Sequence, residues 1–211
     1  MPTKSQPRKA MCAALTLGCA GLGLTAGQLH AQDPLSGFYV STDAGLNLIS
    51  DLNAPGVSIS LRPGVRGDAS VGRAWKLAGE FSAAGELDAG ILYNDLYKAT
   101  SQGQSIAAGG SLTDVPLLAH AVLRWQFQPH WILYGGLGAG CAISSLRLDA
   151  GGSNYGLDGT QADFAWQAMT GVQYRFGSNE IGLGYEYFSF KRSGMQTVGN
   201  NTILASYTFR F

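Results

Sequence analysis

From Phe38 to the last residue, apolar side chains recur at every second position in eight separate stretches. These are Phe38–Asn47, Val65–Arg73, Ala83–Tyr93, Val115–Trp125, Trp131–Ile143, Phe164–Arg175, Ile181–Ser189 and Thr202–Phe211. Period two is the spacing of a strand with unlike faces. Each stretch is near the ~9–11 residues of a tilted strand that crosses a bilayer. After the leader no apolar run reaches the ~18 residues that a spanning helix needs. If this chain enters a membrane, it does so on strands, and those strands must close into a barrel so that no backbone edge meets lipid.

The connections support closure. Three are short: "AWKLAGEFS", "QFQPH" and "FGSNE". Four are longer and polar: "LISDLNAPGVSISLRPG", "NDLYKATSQGQSIAAGGSLTD", "SSLRLDAGGSNYGLDGTQAD" and "FKRSGMQTVGNN". Short and long alternate along the whole chain, as in an up-and-down barrel with short turns at one end and loops at the other. The expected fold class is all-β, an eight-stranded antiparallel up-and-down transmembrane β-barrel.

The two parities differ in charge. One carries Val40, Leu46, Val71, Leu87, Leu123, Leu137, Val172, Leu183, Ile203 and Phe209, and its core positions hold no charge. The other carries Asp43, Arg66, Asp68, Glu86, Asp88, His120, Arg124, Arg175, Glu186 and Arg210, with Gly136, Gly138, Gly140, Gly182 and Gly184 among them. An Arg or Lys facing lipid costs roughly 2–4 kcal/mol near the midplane. Several such residues would rival a total stability of ~5–15 kcal/mol. The charged parity therefore faces the lumen, where glycines leave room in a narrow interior. Aromatic residues gather at strand ends: Trp125, Trp131, Tyr174, Tyr207 and Phe209 at one rim, and Tyr93, Phe164, Trp166 and Tyr187 at the other. Such girdles suit two water–lipid interfaces.

The start of the chain is of another kind. Lys4, Arg8 and Lys9 precede an apolar run that ends at "LHAQD". Residues 1–31 are expected to be a secretory signal peptide cleaved after Ala31, leaving 32–211 as the barrel domain. A weaker lipoprotein-like box precedes Cys19. Cleavage would remove Cys12 and Cys19 and leave Cys141 alone, without an internal disulfide. Charged residues are 13% of the chain, against a usual ~25%, and Lys plus Arg (14) equals Asp plus Glu (14). That balance speaks against a nucleic-acid partner.

With "GFYVSTDAGLN", "PGVRGDASVG", "GELDAGILYN", "VPLLAHAVLRW", "WILYGGLGAG", "FAWQAMTGVQYRF" and "IGLGYEYFSF" in this order, the chain resembles the small OmpA/OmpX-like outer-membrane β-barrel proteins of Gram-negative bacteria. The resemblance spans nearly all of 32–211. It implies a location in the outer membrane, with its lipid as surroundings. It also implies that the ending "ASYTFRF", with Tyr207, Phe209 and Phe211, is a C-terminal signal read by the barrel assembly machinery. No peptidoglycan-binding module is expected after Phe211.

Barrels of this kind serve as anchors, adhesins, narrow pores and lipid enzymes, so the fold alone names no activity. The expected role is structural or surface recognition. Its lumen would be filled by a charge network in which Arg66, Arg124, Arg175 and Arg210 face Asp68, Glu86, Asp88 and Glu186. An unknown surface ligand would meet the long loops. The alternative is a narrow, porin-like ion or small-solute pore. A lipid-modifying enzyme is the weaker alternative, because only His120 and His130 remain as bases and no Ser–His–acid group is visible. No catalytic residue, metal site or cofactor is expected. His120 reads as a satisfied lumen residue, and "GGLGAG" lacks the helix and acidic partner of a nucleotide loop.

Overall fold

A computed structural model describes residues 35–54, 56–101, 104–107, 109–150, 153–155, 161–191 and 196–211. The expected leader, 1–31, lies outside the described residues. The strands are β1 (Gly37–Ile49), β2 (Leu52–Ala54), β3 (Val57–Leu61), β4 (Gly64–Lys76), β5 (Phe81–Ser101), β6 (Gln104–Ala107), β7 (Gly109–Gln128), β8 (Trp131–Ala150), β9 (Ser153–Tyr155), β10 (Gln161–Phe176), β11 (Asn179–Lys191) and β12 (Thr197–Arg210).

Eight of them form a closed antiparallel ring: β1, β4, β5, β7, β8, β10, β11, β12 and back to β1. Each contains one of the eight alternating stretches. Closure runs from Tyr39↔Arg210 to Ile49↔Asn200, so β12 is paired on both sides. Glycines at φ 56 (Gly79) and φ 61 (Gly177) turn the chain at the β4–β5 and β10–β11 links.

The four remaining strands lie in the segments between barrel strands, which by composition read as plain loops. β2 and β3 form a hairpin, and β3 pairs with the outer part of β5. β6 also pairs with β5, and β9 with β8. β5, β7 and β8 run for 21, 20 and 20 residues, about twice the span a bilayer needs, so this side of the ring continues as a wall beyond the loop-end rim. The signal for β3 was the alternation in "VSISL", hidden by a polar neighbourhood.

Exposure decides which face is inside. Leu46, Leu137, Leu183 and Ile203 are 64–66% exposed, while Arg66 is 3% and Gln167 1% exposed. The uncharged parity faces outward. Aromatic pairs mark both rims. Trp131 meets Tyr174 edge-on at 5.1 Å and Phe81 stacks on Trp125 at 5.9 Å at the short-turn end. Trp166 meets Tyr187 at 5.3 Å at the loop end. Within the eight alternating stretches one charge lies outward: Arg73, on the parity of Val71, at the short-turn end of β4.

Candidate functional site

The lumen is the chemically distinctive part of the molecule, and it is layered along the barrel axis. At the short-turn end three arginines converge on Glu180. Arg124 Nη2 lies 2.5 Å from Glu180 Oε2, Arg175 Nε donates to Oε1 at 2.8 Å, and Arg210 Nη1 reaches Oε1 at 3.3 Å. The guanidinium groups of Arg124 and Arg210 also sit over the Tyr39 ring, at 5.8 and 5.2 Å. Arg175 Nη1 donates to Gln126 Oε1 at 3.3 Å.

In the middle layer Arg66 is the sole guanidinium of the network. Its Nε donates to Asp68 Oδ2 at 2.7 Å, its Nη2 to Gln167 Oε1 at 2.8 Å, and its Nη1 lies 2.9 Å from Glu186 Oε2. Glu86 accepts a hydrogen bond from the Tyr39 hydroxyl, and His120 Nδ1 stands 3.9 Å from its Oε2. Asp88 is buried, and its Oδ1 has no hydrogen-bond partner among the described residues.

This arrangement corrects the expected pairing. Of the four arginines, only Arg66 meets acids of the expected set, Asp68 and Glu186. Arg124, Arg175 and Arg210 share Glu180, which the turn-like composition of "FGSNE" places in a connection. Its parity, that of Gly182, Gly184 and Glu186, was the signal for a lumen position. Glu86 and Asp88 have no arginine within ion-pair distance among the described residues. His120 is buried, yet neither ring nitrogen has a hydrogen-bond partner among the described residues, so it is not satisfied as expected. Its ring packs on Gly138, where any Cβ would overlap it.

Charge is thus segregated. Among the described residues, three arginines face one carboxylate at the short-turn end, whereas in the middle Asp43, Asp68, Glu86, Asp88 and Glu186 share the lumen with Arg66. Between these layers lies a cavity of about 40 Å³ lined in part by Asp43, Glu86, Arg124, Gln173, Glu186 and Ser206. One water needs about 10–15 Å³ of such space, so the cavity suits a few waters.

The loop-end half of the lumen was not expected. Asn47 Nδ2 donates to Asn94 Oδ1 at 2.8 Å and to Asn200 Oδ1 at 3.2 Å, and Thr202 Oγ1 donates to Asn47 Oδ1 at 3.1 Å. Asn94 Nδ2 donates to the Arg62 carbonyl at 3.0 Å, which ties the returning hairpin to the barrel. With this polar girdle lies an apolar plug that includes Leu92, Leu112, Leu118, Leu146, Phe188, Phe190 and Val198 from the ring, with Leu52, Ile59 and Leu61 from the β2–β3 hairpin. Phe188 joins the two halves, with the Arg66 guanidinium carbon 5.7 Å from its ring centroid.

Residues 17–211 match the family model described as "Outer membrane protein beta-barrel domain". The chain belongs to this family. Its place is therefore the Gram-negative outer membrane, with the short turns toward the periplasm and the long loops outward. No curated protein matches the chain. Among solved structures it is similar to Neisserial surface protein A (NspA), at 20% identity and TM-score 0.53, covering 83% of this chain and 98% of that one. It is also similar to Ail, the attachment invasion locus protein of Yersinia pestis, at 15% identity and TM-score 0.44, covering 81% and 98%. The N-terminal barrel domain of Pseudomonas aeruginosa OprF matches at 13% identity and TM-score 0.41, covering 83% and 99%. At 20% identity the likeness to NspA speaks to fold alone.

The residues expected to form the C-terminal signal sit on the outer wall. Tyr207, Phe209 and Phe211 are 45%, 38% and 61% exposed, and Phe209 and Phe211 meet edge-on at 5.2 Å. The Phe211 amide donates to the Phe38 carbonyl at 2.9 Å. The terminal backbone is paired while its aromatic side chains face lipid.

Proposed function

We propose that this outer-membrane protein is a sealed barrel, a structural anchor that holds its long loops and strand extensions at the cell surface for recognition. The observation that carries the reading is the double closure of the lumen. An ion-paired layer fills the periplasmic half, and an apolar plug capped by the β2–β3 hairpin fills the outer half. Eight strands enclose an interior that side chains can just fill. An apolar constriction also dewets and opposes ion passage. A catalytic reading gains no support from His120, which is packed inside the wall against Gly138 and has no nucleophile bonded to it. On this reading the loops meet a surface ligand, and the terminal aromatic strand is the element read during assembly.

The test is solute retention. Liposomes loaded with potassium and a pentose, and carrying the refolded mature chain, should lose neither faster than empty liposomes. Accelerated loss of potassium alone would favour the narrow pore, and loss of both would contradict sealing.

A further inference from the structure

We infer that the periplasmic rim carries a binding site for the phosphate of a glycerophospholipid, centred on Arg73. Arg73 is the one charged residue on the outward parity of the β4 membrane stretch, and it is exposed. Register places it opposite Phe38 on β1 and Gly85 on β5. Its guanidinium carbon lies 5.0 Å from the Phe38 ring centroid and 5.7 Å from that of Trp75. Trp75 leans across β5 beside Gly85, where a Cβ would come into ordinary contact with the indole at 3.6 Å and a longer side chain would compete for its place. No hydrogen bond or ion pair joins Arg73 to another described residue.

The aromatic rings hold the cation at the interface, and its N–H donors are left for a partner outside the protein. A guanidinium suits two phosphate oxygens at once. An outward arginine costs little at the interface but roughly 2–4 kcal/mol deeper in the bilayer, so the headgroup level is where this side chain belongs. The site lies at the short-turn end, hence in the periplasmic leaflet. Toward the bilayer centre the same strand shows Val71, Ala69 and Gly67, short side chains against which an acyl chain can lie. Charge complementarity selects a phosphodiester over a neutral lipid.

Native mass spectrometry of the detergent-refolded mature chain tests this, with dioleoyl phosphatidylglycerol and dioleoylglycerol as probes. The wild type should retain one phospholipid about tenfold more tightly than the phosphate-free lipid. Arg73→Gln should lose that preference, Arg73→Lys should keep part of it, and Gly85→Leu, which displaces Trp75, should weaken it. Heat-shifted gel mobility confirms that each variant is folded. Equal retention of the two lipids by the wild type, which needs no variant, would overturn the proposal. So would unchanged retention in Arg73→Gln, or a second copy of the chain in place of lipid.

Discussion

Glu180 neutralises part of the repulsion among Arg124, Arg175 and Arg210, all of them buried. Removing one partner of a buried ionic cluster leaves uncompensated charge, which costs about 3–5 kcal/mol. Glu180→Gln should therefore lower stability by that order, measured as the shift in the urea midpoint of the heat-modifiable band. Asp88→Asn should leave stability unchanged or raise it by up to about 1 kcal/mol, because it removes a buried charge crowded by other carboxylates and in no ion pair with a described residue. Gly138→Ala should lower the thermal midpoint by pushing the His120 ring aside, and His120→Ala in the same chain should restore it. Parity made Arg66, Asp68, Glu86, Arg124 and Glu186 legible as lumen residues. Who pairs with whom was not legible, because partners are set by level along the axis, and level depends on the shear of the ring. Glu180 was lost for a simpler reason: a turn-like "FGSNE" hid the first lumen position of β11.

At the scale of elements, all eight barrel strands could be read from period two, since one face had to suit lipid and the other had to hold charge. The β2–β3 hairpin could not, because a short strand between polar residues looks like loop until its pairing with β5 is known. Leu52, Ile59 and Leu61 turn its apolar side onto the plug. Ile59→Asp should thus loosen the cap and speed amide hydrogen exchange at residues 92–99 of β5, while the periplasmic parts of β4 and β5 remain protected. β12 separates two roles. Its backbone closes the ring, and Phe211 exposes its side chain. Phe211→Ala should refold in detergent as the wild type does, yet yield less folded barrel in cells, measured as the unboiled band in outer-membrane fractions. Equal yields would remove the assembly role from that side chain.

The barrel is an apolar wall around an interior that changes character from basic to acidic to apolar between its two ends. Parity sorts residues by face but not by depth. Leu92, Leu118 and Phe188 share their parity with Glu86, Asp88, Arg124 and Glu186, so the outer plug was hidden in the same pattern that revealed the charges. Depth matters for function, because a charged lumen alone is compatible with a wet path, whereas a charged layer beneath an apolar plug favours the proposed sealed barrel. The measurement that bears most directly on this is single-channel conductance of the refolded mature chain in a planar bilayer, with heat-shifted mobility as proof of folding. The sealed barrel predicts a flat baseline at voltages where an open channel would give steady steps. Steady, reproducible steps from the folded wild type, altered by Glu86→Ala, would contradict it and make the charged layer the lining of a pore.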